Sequence, residues 1–173
     1  MIADAIYVGD SSVERVMLGD VEVWSAAPPG LPVVTITGTT STAARDQFRA
    51  ACVEYGTTYQ TVTELPFLLD TGRATRMTSM FYGCSALTHV PDMDTVNVTD
   101  MDSMFRDCSS LTHVPDMDTG RATRMVSMFR DCTSLTDGNV RCIGRHPDVS
   151  TSFMISGSGL TREPFYDTAG NPI

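Results

Sequence analysis

One unit of 24 residues occurs three times in succession through the middle of this chain. The copies span Asp70–Met93, Asp94–Met117 and Asp118–Arg141, and we call them units 1, 2 and 3. A fixed period in this range is typical of a solenoid, in which each unit buries its apolar face only by stacking on its neighbours. The repeat therefore predicts an extended surface suited to contact with a partner, and it disfavours a single catalytic cleft.

Five apolar columns recur at helical spacing in every unit. In unit 2, Met101 is followed by Met104, Phe105, Cys108 and Leu111. Offsets of three, four and seven residues predict a short helix, and the run THVPDMDT that follows in units 1 and 2 predicts a short strand. The predicted repeat core is Met77, Met80, Phe81, Cys84, Leu87, Met101, Met104, Phe105, Cys108, Leu111, Met125, Met128, Phe129, Cys132 and Leu135.

One helix and one short strand per unit is the layout of leucine-rich repeats. The sequence therefore predicts an α/β repeat fold, a short leucine-rich-repeat-like solenoid with a small N-terminal β-meander. We divide the chain into an attachment segment at 1–24, a Pro-rich linker at 25–32, a strand–helix N-terminal cap at 33–69, the three repeats at 70–141, and a C-terminal cap and tail at 142–173.

The first 24 residues contain two similar apolar runs, IYVGD at Ile6–Asp10 and VMLGD at Val16–Asp20. Gly19 and Asp20 have the spacing of a two-residue hairpin turn, in which Gly at the first position suits type II′. A β-meander of this size is not stable alone, so we expect it to dock on another surface. The candidate docking residues are Ile6, Tyr7, Val8, Val16, Leu18 and Trp24.

Degenerate copies of the unit flank the repeats. We predict a strand at Val33–Thr37 and a helix at Thr42–Tyr55, the latter ended by Gly56. Val149–Thr161 keeps a damaged echo of the unit that is one residue longer. Because a solenoid needs atypical end units to cover its open core, we interpret these segments as the two caps.

Position seven of the unit alternates in charge along the repeats, with Arg76, Asp100 and Arg124. If the units stack, Asp100 lies between two guanidinium groups. Exposed ion pairs contribute only about 0–1 kcal/mol. We therefore assign these three residues a modest role in setting the register of the units.

Two Cys-x4-His pairs, Cys84 with His89 and Cys108 with His113, have ligand types that suit a Cys₂His₂ zinc site. Unit 3, however, has Asp137 where a third histidine is expected, and structural zinc pairs are usually closer in sequence. A ladder of buried cysteines with surface histidines is the favoured interpretation, and zinc binding is the alternative.

Acidic columns formed by Asp92 and Asp116, and by Asp70, Asp94 and Asp118, suggest calcium binding or a general acid–base pair. Regularity across all units is typical of a scaffold, whereas a catalytic pair needs one special environment. We therefore interpret these residues as turn-forming. The sequence predicts no catalytic residue, no cofactor, no metal and no enzymatic activity.

Composition excludes two classes of partner. The net charge of −9 argues against nucleic acid, because phosphate contacts require clustered cations. No apolar run approaches the roughly 20 residues of a membrane span. The N-terminus, MIADAIYVGD, shows no basic region of a signal peptide, so we expect synthesis in a cytoplasm without export of the chain by itself.

The phrase VTDMDSMFRDCSSLTHVPDMDT resembles the BspA-like leucine-rich repeats of surface proteins from mycoplasmas and other bacteria, which also occur in some phage proteins. The resemblance covers about Leu65–Thr136 and depends on the repeated pattern M-x-x-M-F-x-x-C-x-x-L-T. Bacterial members of that family are exported, often as lipoproteins. A bacterial surface adhesin is therefore one function that the resemblance implies.

The opening AIYVGDSSVERVMLGDVEVW resembles the start of many minor tail proteins of actinobacterial phages, and LTREPFYDTAGNPI is similar to their ends. This second resemblance implies a non-enzymatic minor tail or tail-tip protein, located in the virion and assembled in the host cytoplasm. The partners that it implies are other virion tail proteins and a host cell-surface receptor, and tail geometry favours a homo-oligomer. We take this as the leading hypothesis and the adhesin as the alternative.

Overall fold

The computed structural model describes residues 31–173 with their side chains, and the strand pairing of four short N-terminal segments. Strand β1 (Ala5–Val8) pairs antiparallel with β2 (Ser11–Glu14), and β3 (Val16–Leu18) pairs antiparallel with β4 (Val21–Val23). The pairing of β3 with β4 is the one expected of the predicted hairpin, whose turn residues 19 and 20 lie outside the described part of the chain. Trp24, and the side chains of the other candidate docking residues, lie outside the described part of the chain.

The segment before the repeats contains strand β5 (Val33–Thr35), helix α1 (Ala43–Glu54) and strand β6 (Leu68–Asp70). Strands β5 and β6 pair in parallel. The helix lies within the predicted Thr42–Tyr55 and ends before Gly56, whose φ of 74° is the left-handed geometry that glycine tolerates best.

Helix α1 covers the outer side of unit 1. Its buried Phe48 packs edge-on against Phe81 of unit 1, with ring centroids 4.8 Å apart. Phe67 belongs to the same cluster, with its ring centroid 6.2 Å from that of Phe48. This contact continues the repeat core into the segment that precedes it.

The helix predicted inside each unit is not formed, and consecutive tight turns stand in its place. Ser79, Ser103 and Ser127 each have a φ of 55°, and the residues four positions later are also left-handed. A right-handed helix cannot pass through such residues. Hydrogen bonds of the i→i−3 type, such as Met80 N–H to the Met77 carbonyl at 3.2 Å, hold the turns together.

The predicted core is nonetheless buried, because tight turns place residues three and four apart on one side much as a helix does. All fifteen predicted core residues are at most 1% exposed. The Phe rings stack in register, with centroids 5.3 Å apart between Phe81 and Phe105 and 5.5 Å apart between Phe105 and Phe129. Their planes are within 3° of parallel.

Backbone hydrogen bonds join each unit to the next. At four alternate positions, an N–H group donates to a carbonyl of the following unit at N···O distances of 2.8–3.0 Å. The donors are Met77, Ser79, Phe81 and Gly83 in unit 1, Met101, Ser103, Phe105 and Asp107 in unit 2, and Met125, Ser127, Phe129 and Asp131 in unit 3.

The C-terminal region adds one more turn-containing segment and a small parallel sheet. Strands β7 (Met117–Asp118), β8 (Cys142–Ile143) and β9 (Phe165–Tyr166) lie side by side in that order. Phe153, with a φ of 58°, occupies the place of Ser127, so the echo is offset by two residues beyond the period.

Candidate contact surface

Threonine hydroxyls connect the units along two edges. The buried Thr95 donates to the Asp118 carbonyl at 2.9 Å, and its counterpart Thr71 donates to the Asp94 carbonyl at 3.0 Å. Thr99 donates to the carbonyl of Thr75 at 3.2 Å. These hydroxyls are occupied within the fold, so they serve the scaffold.

The cysteine column of Cys84, Cys108 and Cys132 is internal. The thiols of Cys108 and Cys132 lie 3.0 and 2.8 Å from the carbonyls of Phe81 and Phe105. Burial raises the pKa of the Cys132 thiol far above its ordinary value. A thiol that stays protonated is neither a nucleophile nor a metal ligand.

The alternative zinc site is not formed. Cys84 and Cys108 are fully buried, whereas His89 and His113 are exposed on adjacent units. Across the described residues, no group of three or more His, Cys, Asp or Glu side chains is placed to hold a metal ion. Each Cys-x4-His pair is therefore divided between the core and the surface.

The acidic column that begins each unit forms local turns. Asp70, Asp94 and Asp118 accept the N–H group two residues further on, at 3.3, 3.1 and 2.9 Å. Asp116, in the second acidic column, pairs with Arg141 at 3.1 Å. These four carboxylates face their own turns or a neighbouring arginine, an arrangement that is suited to structure.

The charge alternation at position seven is only partly paired. Arg124 lies 3.6 Å from Asp100, but among the described residues no ion pair joins Arg76 to Asp100. The closer partner of Arg124 is Asp102, which accepts its Nε–H at 2.8 Å and also accepts the Val126 N–H at 2.8 Å. Asp102 was not predicted from the sequence.

Asp102 is nearly buried, with 8% of its surface exposed. The pKa of the Arg124 guanidinium is raised, mainly by its hydrogen bond to Asp102 and secondly by the negative charge of Asp102. The signal in the sequence is the departure of unit 2 from its neighbours, which carry Thr78 and Val126 at the same position. One carboxylate thus fixes the backbone and one side chain of the next unit.

Outside the core, tyrosine and arginine side chains gather on one side of the repeats. The Arg49 guanidinium lies 3.9 Å from the centre of the Tyr59 ring, and Arg106 lies 5.7 Å from that of Tyr82. Arg130 follows at the same unit position as Tyr82 and Arg106. We call these five residues the Tyr–Arg surface.

All five residues of the Tyr–Arg surface are partly exposed. Tyrosine and arginine are the residue types enriched where proteins bind partners, because they combine apolar area with hydrogen bonding. This surface was not predicted from the sequence, since Arg49 and Tyr59 precede the repeats and only the fold brings them beside Tyr82. The Tyr–Arg surface is the best candidate for a contact site.

A pocket of about 210 Å³ lies between the N-terminal cap and unit 1. Its wall is mostly apolar, with Phe67, Leu68 and Val90 among the lining residues, and Glu64 and His89 supply its two ionisable groups. No nucleophile accompanies that pair in the lining, so the pocket offers no recognisable catalytic set.

The family described as "Mycoplasma protein of unknown function, DUF285" matches residues 58–154, more than half of the chain. The chain belongs to this family. The match agrees with the resemblance to BspA-like surface repeats. No curated protein and no solved structure matches the chain.

The DUF285 match contains all three units and the first part of the echo that follows them, up to residue 154. It also contains Tyr59, Tyr82, Arg106 and Arg130 of the Tyr–Arg surface, whereas Arg49 on helix α1 precedes it. Within the described residues, no helix is long and apolar enough to span a bilayer.

Proposed function

We propose that this DUF285 chain is a non-enzymatic minor tail or tail-tip protein of a phage virion. In this proposal the units stack as a leucine-rich-repeat-like solenoid and display the Tyr–Arg surface to a partner. The N-terminal hairpins attach the chain to other tail proteins, as a homo-oligomer.

The solenoid part of the proposal is supported by the hydrogen bonds between units. The four donors of each unit meet four carbonyls of the next, and the Phe rings stack at nearly equal spacing. Such nearest-neighbour contacts are what holds a repeat protein together. The apolar columns are buried in the core, so the side chains that face outward are the ones available for recognition.

The observation that carries the contact function is the Tyr–Arg surface in a chain of net charge −9. Arg49 and Arg106 lie close to aromatic rings, which orients them and reduces the freedom that they lose on binding. The N-terminal hairpins and the Pro-rich linker support attachment at the other end, as the resemblance to tail proteins implies.

Contact can be tested with matched arginine variants. We expect Arg106→Ala to weaken binding of the labelled protein to host cells by roughly tenfold, the usual effect of losing a central contact residue. Arg121→Ala, at an exposed position outside the Tyr–Arg surface, removes the same charge and should change binding little. Equal effects of the two variants would show that only net charge matters.

Location can be tested with antibodies raised against residues 31–173. If the proposal is right, the protein co-purifies with virions through a density gradient, and deletion of residues 1–24 prevents incorporation while the repeats stay folded. Incorporation that is unchanged by the deletion would disprove attachment through the N-terminal segment.

The alternative is a bacterial BspA-like surface adhesin, which the DUF285 match favours. An adhesin would appear in the cell-envelope fraction, with no virion-associated pool. Host-cell binding through the Tyr–Arg surface is expected in both cases, so the fractionation decides between them.

A further inference from the structure

The last turn-containing segment presents a row of backbone donors that continues the contacts between units. In unit 3, alternate N–H groups donate to the carbonyls of Ser150, Ser152, Met154 and Ser156. The equivalent donors one segment further on belong to Thr151, Phe153, Ile155 and Gly157, and we call them the end row. Among the described residues, none accepts a hydrogen bond from the end row.

The carbonyls of the same segment are already engaged. Those of Thr151, Phe153 and Ile155 accept N–H groups three residues further on, at 2.9–3.2 Å. The end row therefore presents N–H donors, while most of the carbonyls beside them already accept a hydrogen bond within the segment. A segment of backbone carbonyls is its natural complement, as the carbonyls between units 2 and 3 demonstrate inside the molecule.

Phe153 gives the end row an apolar anchor. It is 68% exposed and has a φ of 58°, at a position where units 1 to 3 carry serine. A bulky side chain in left-handed geometry is unfavourable, and an exposed one gains no burial in return. Ile155, in the place of the stacked Phe rings, is likewise only half-buried.

The described residues close only one side of this end of the molecule. Residues after Asp167 turn back over strand β9, so that Ile173 N–H donates to the Phe165 carbonyl at 3.1 Å and Tyr166 bridges to Pro172. No residue in the described part of the tail accepts a hydrogen bond from the end row. The described residues thus cover one half of this end of the stack and leave the end row without an acceptor.

We propose that the end row is a docking edge for an extended segment of a partner protein. The segment runs parallel to residues 151–157, accepts hydrogen bonds through alternate carbonyls, and places an apolar side chain on Phe153 and Ile155. This mode of binding adds a strand-like segment to an exposed edge. The inference goes beyond the proposed function, because it concerns a different surface from the Tyr–Arg surface.

The described residues of a second copy of this chain offer no complement to the end row. Two identical rows would bring donors against donors. The carbonyl side of unit 1 is covered by helix α1, where Phe48 packs on Phe81 and Arg49 donates to the Tyr82 carbonyl at 3.4 Å. The end row continues the rows of donors that join one unit to the next, so it calls for a row of carbonyls in the same arrangement. We therefore assign these carbonyls to a different polypeptide.

The test uses the full chain with a tethered probe. Residues 122–136, whose carbonyls accept the donors of unit 2, are fused after Ile173 through a flexible Gly/Ser linker that gives a millimolar effective concentration. Amide exchange of the end row is measured by NMR against a fusion of the same residues in scrambled order. We expect exchange at least about tenfold slower with the native probe.

Phe153→Ser provides a matched variant, since serine occupies this position in all three units. It should reduce the protection of the end row while exchange within units 1 to 3 stays unchanged. Equal exchange in the native and scrambled fusions would overturn the proposal. Slow exchange in the dilute unfused chain would also overturn it, as would protection that grows with protein concentration, because these results identify the chain itself or a second copy as the occupant.

Discussion

The central ring of the phenylalanine stack offers the sharpest test of the packing. Phe105 is fully buried and stacks on both Phe81 and Phe129, whereas Phe129 has only Phe105 as an aromatic neighbour among the described residues. We consider Phe105→Ala and Phe129→Ala, with Phe153→Ala as a surface control. Each variant removes the same atoms, so differences between them report the surroundings.

Truncation of a buried Phe to Ala costs about 3–5 kcal/mol of unfolding free energy. Each aromatic pair adds about 0.5–1.5 kcal/mol beyond burial. Phe105→Ala loses two stacked pairs and Phe129→Ala loses one, so we expect Phe105→Ala to be the more destabilising by about 0.5–1.5 kcal/mol. A domain has only about 5–15 kcal/mol of stability, and Phe105→Ala therefore removes a large share.

The assay is urea unfolding, monitored by circular dichroism and by tyrosine fluorescence. The slope of the unfolding free energy against urea concentration is compared between the variants and the parent chain. Phe153→Ala should stay within about 0.5 kcal/mol of the parent chain, as an exposed residue does. A loss below about 1 kcal/mol for Phe105→Ala would refute the stacked core, because a buried truncation cannot be that mild.

Three further predictions concern single side chains. Asp102→Val should lower the unfolding free energy by about 1.5–3 kcal/mol in urea titrations, since Asp102 accepts a charged donor, whereas Thr78→Val at the same unit position should have little effect. Burial raises the pKa of Cys52 to about 11, so Ellman's reagent should label it at pH 8 only when urea is added. The hydroxyl and N–H of Thr161 donate to Asp137 and hold the pKa of its carboxyl below the ordinary value of 3.8. The ionised carboxylate therefore stabilises the folded state above pH 3.8. This stabilisation is lost as the pH falls through the pKa of the folded state. Asp137→Asn should therefore flatten the decline of the urea midpoint below about pH 4.

The positions of the core could be predicted from the sequence, but the local geometry could not. Spacings of three and four residues place Met101, Met104 and Phe105 on one side in a helix and in tight turns alike. The residues that decide between them are Ser103 and Asp107, both left-handed. Asp107 belongs to a column of Gly and Asp residues, which tolerate left-handed backbone geometry better than most residues. This column is the feature of the sequence that favours tight turns over a helix.

The candidate site was harder to predict than the core. Asp102 occurs in one unit only, and its two acceptor roles depend on the backbone of unit 3. Arg49 and Tyr59 come beside Tyr82 only because helix α1 packs on unit 1. Periodicity reports what all units share, so features carried by a single unit remain invisible to it.

Removal of one whole unit tests the central claim, that the repeats are interchangeable coils of a solenoid. Deletion of Asp94–Met117 joins Met93 to Asp118 and restores the sequence PDMDT at the junction. It also brings Arg76 next to Arg124, which costs little at exposed positions.

The measurement is cooperative urea unfolding of this deletion beside that of a control lacking Asp94–Pro115, which shifts the register by two residues. A solenoid predicts that the in-register deletion still folds and unfolds cooperatively, with a smaller dependence on urea because less surface is exposed. It predicts that the control is unfolded or severely destabilised. Equal loss of structure in both deletions would contradict the claim.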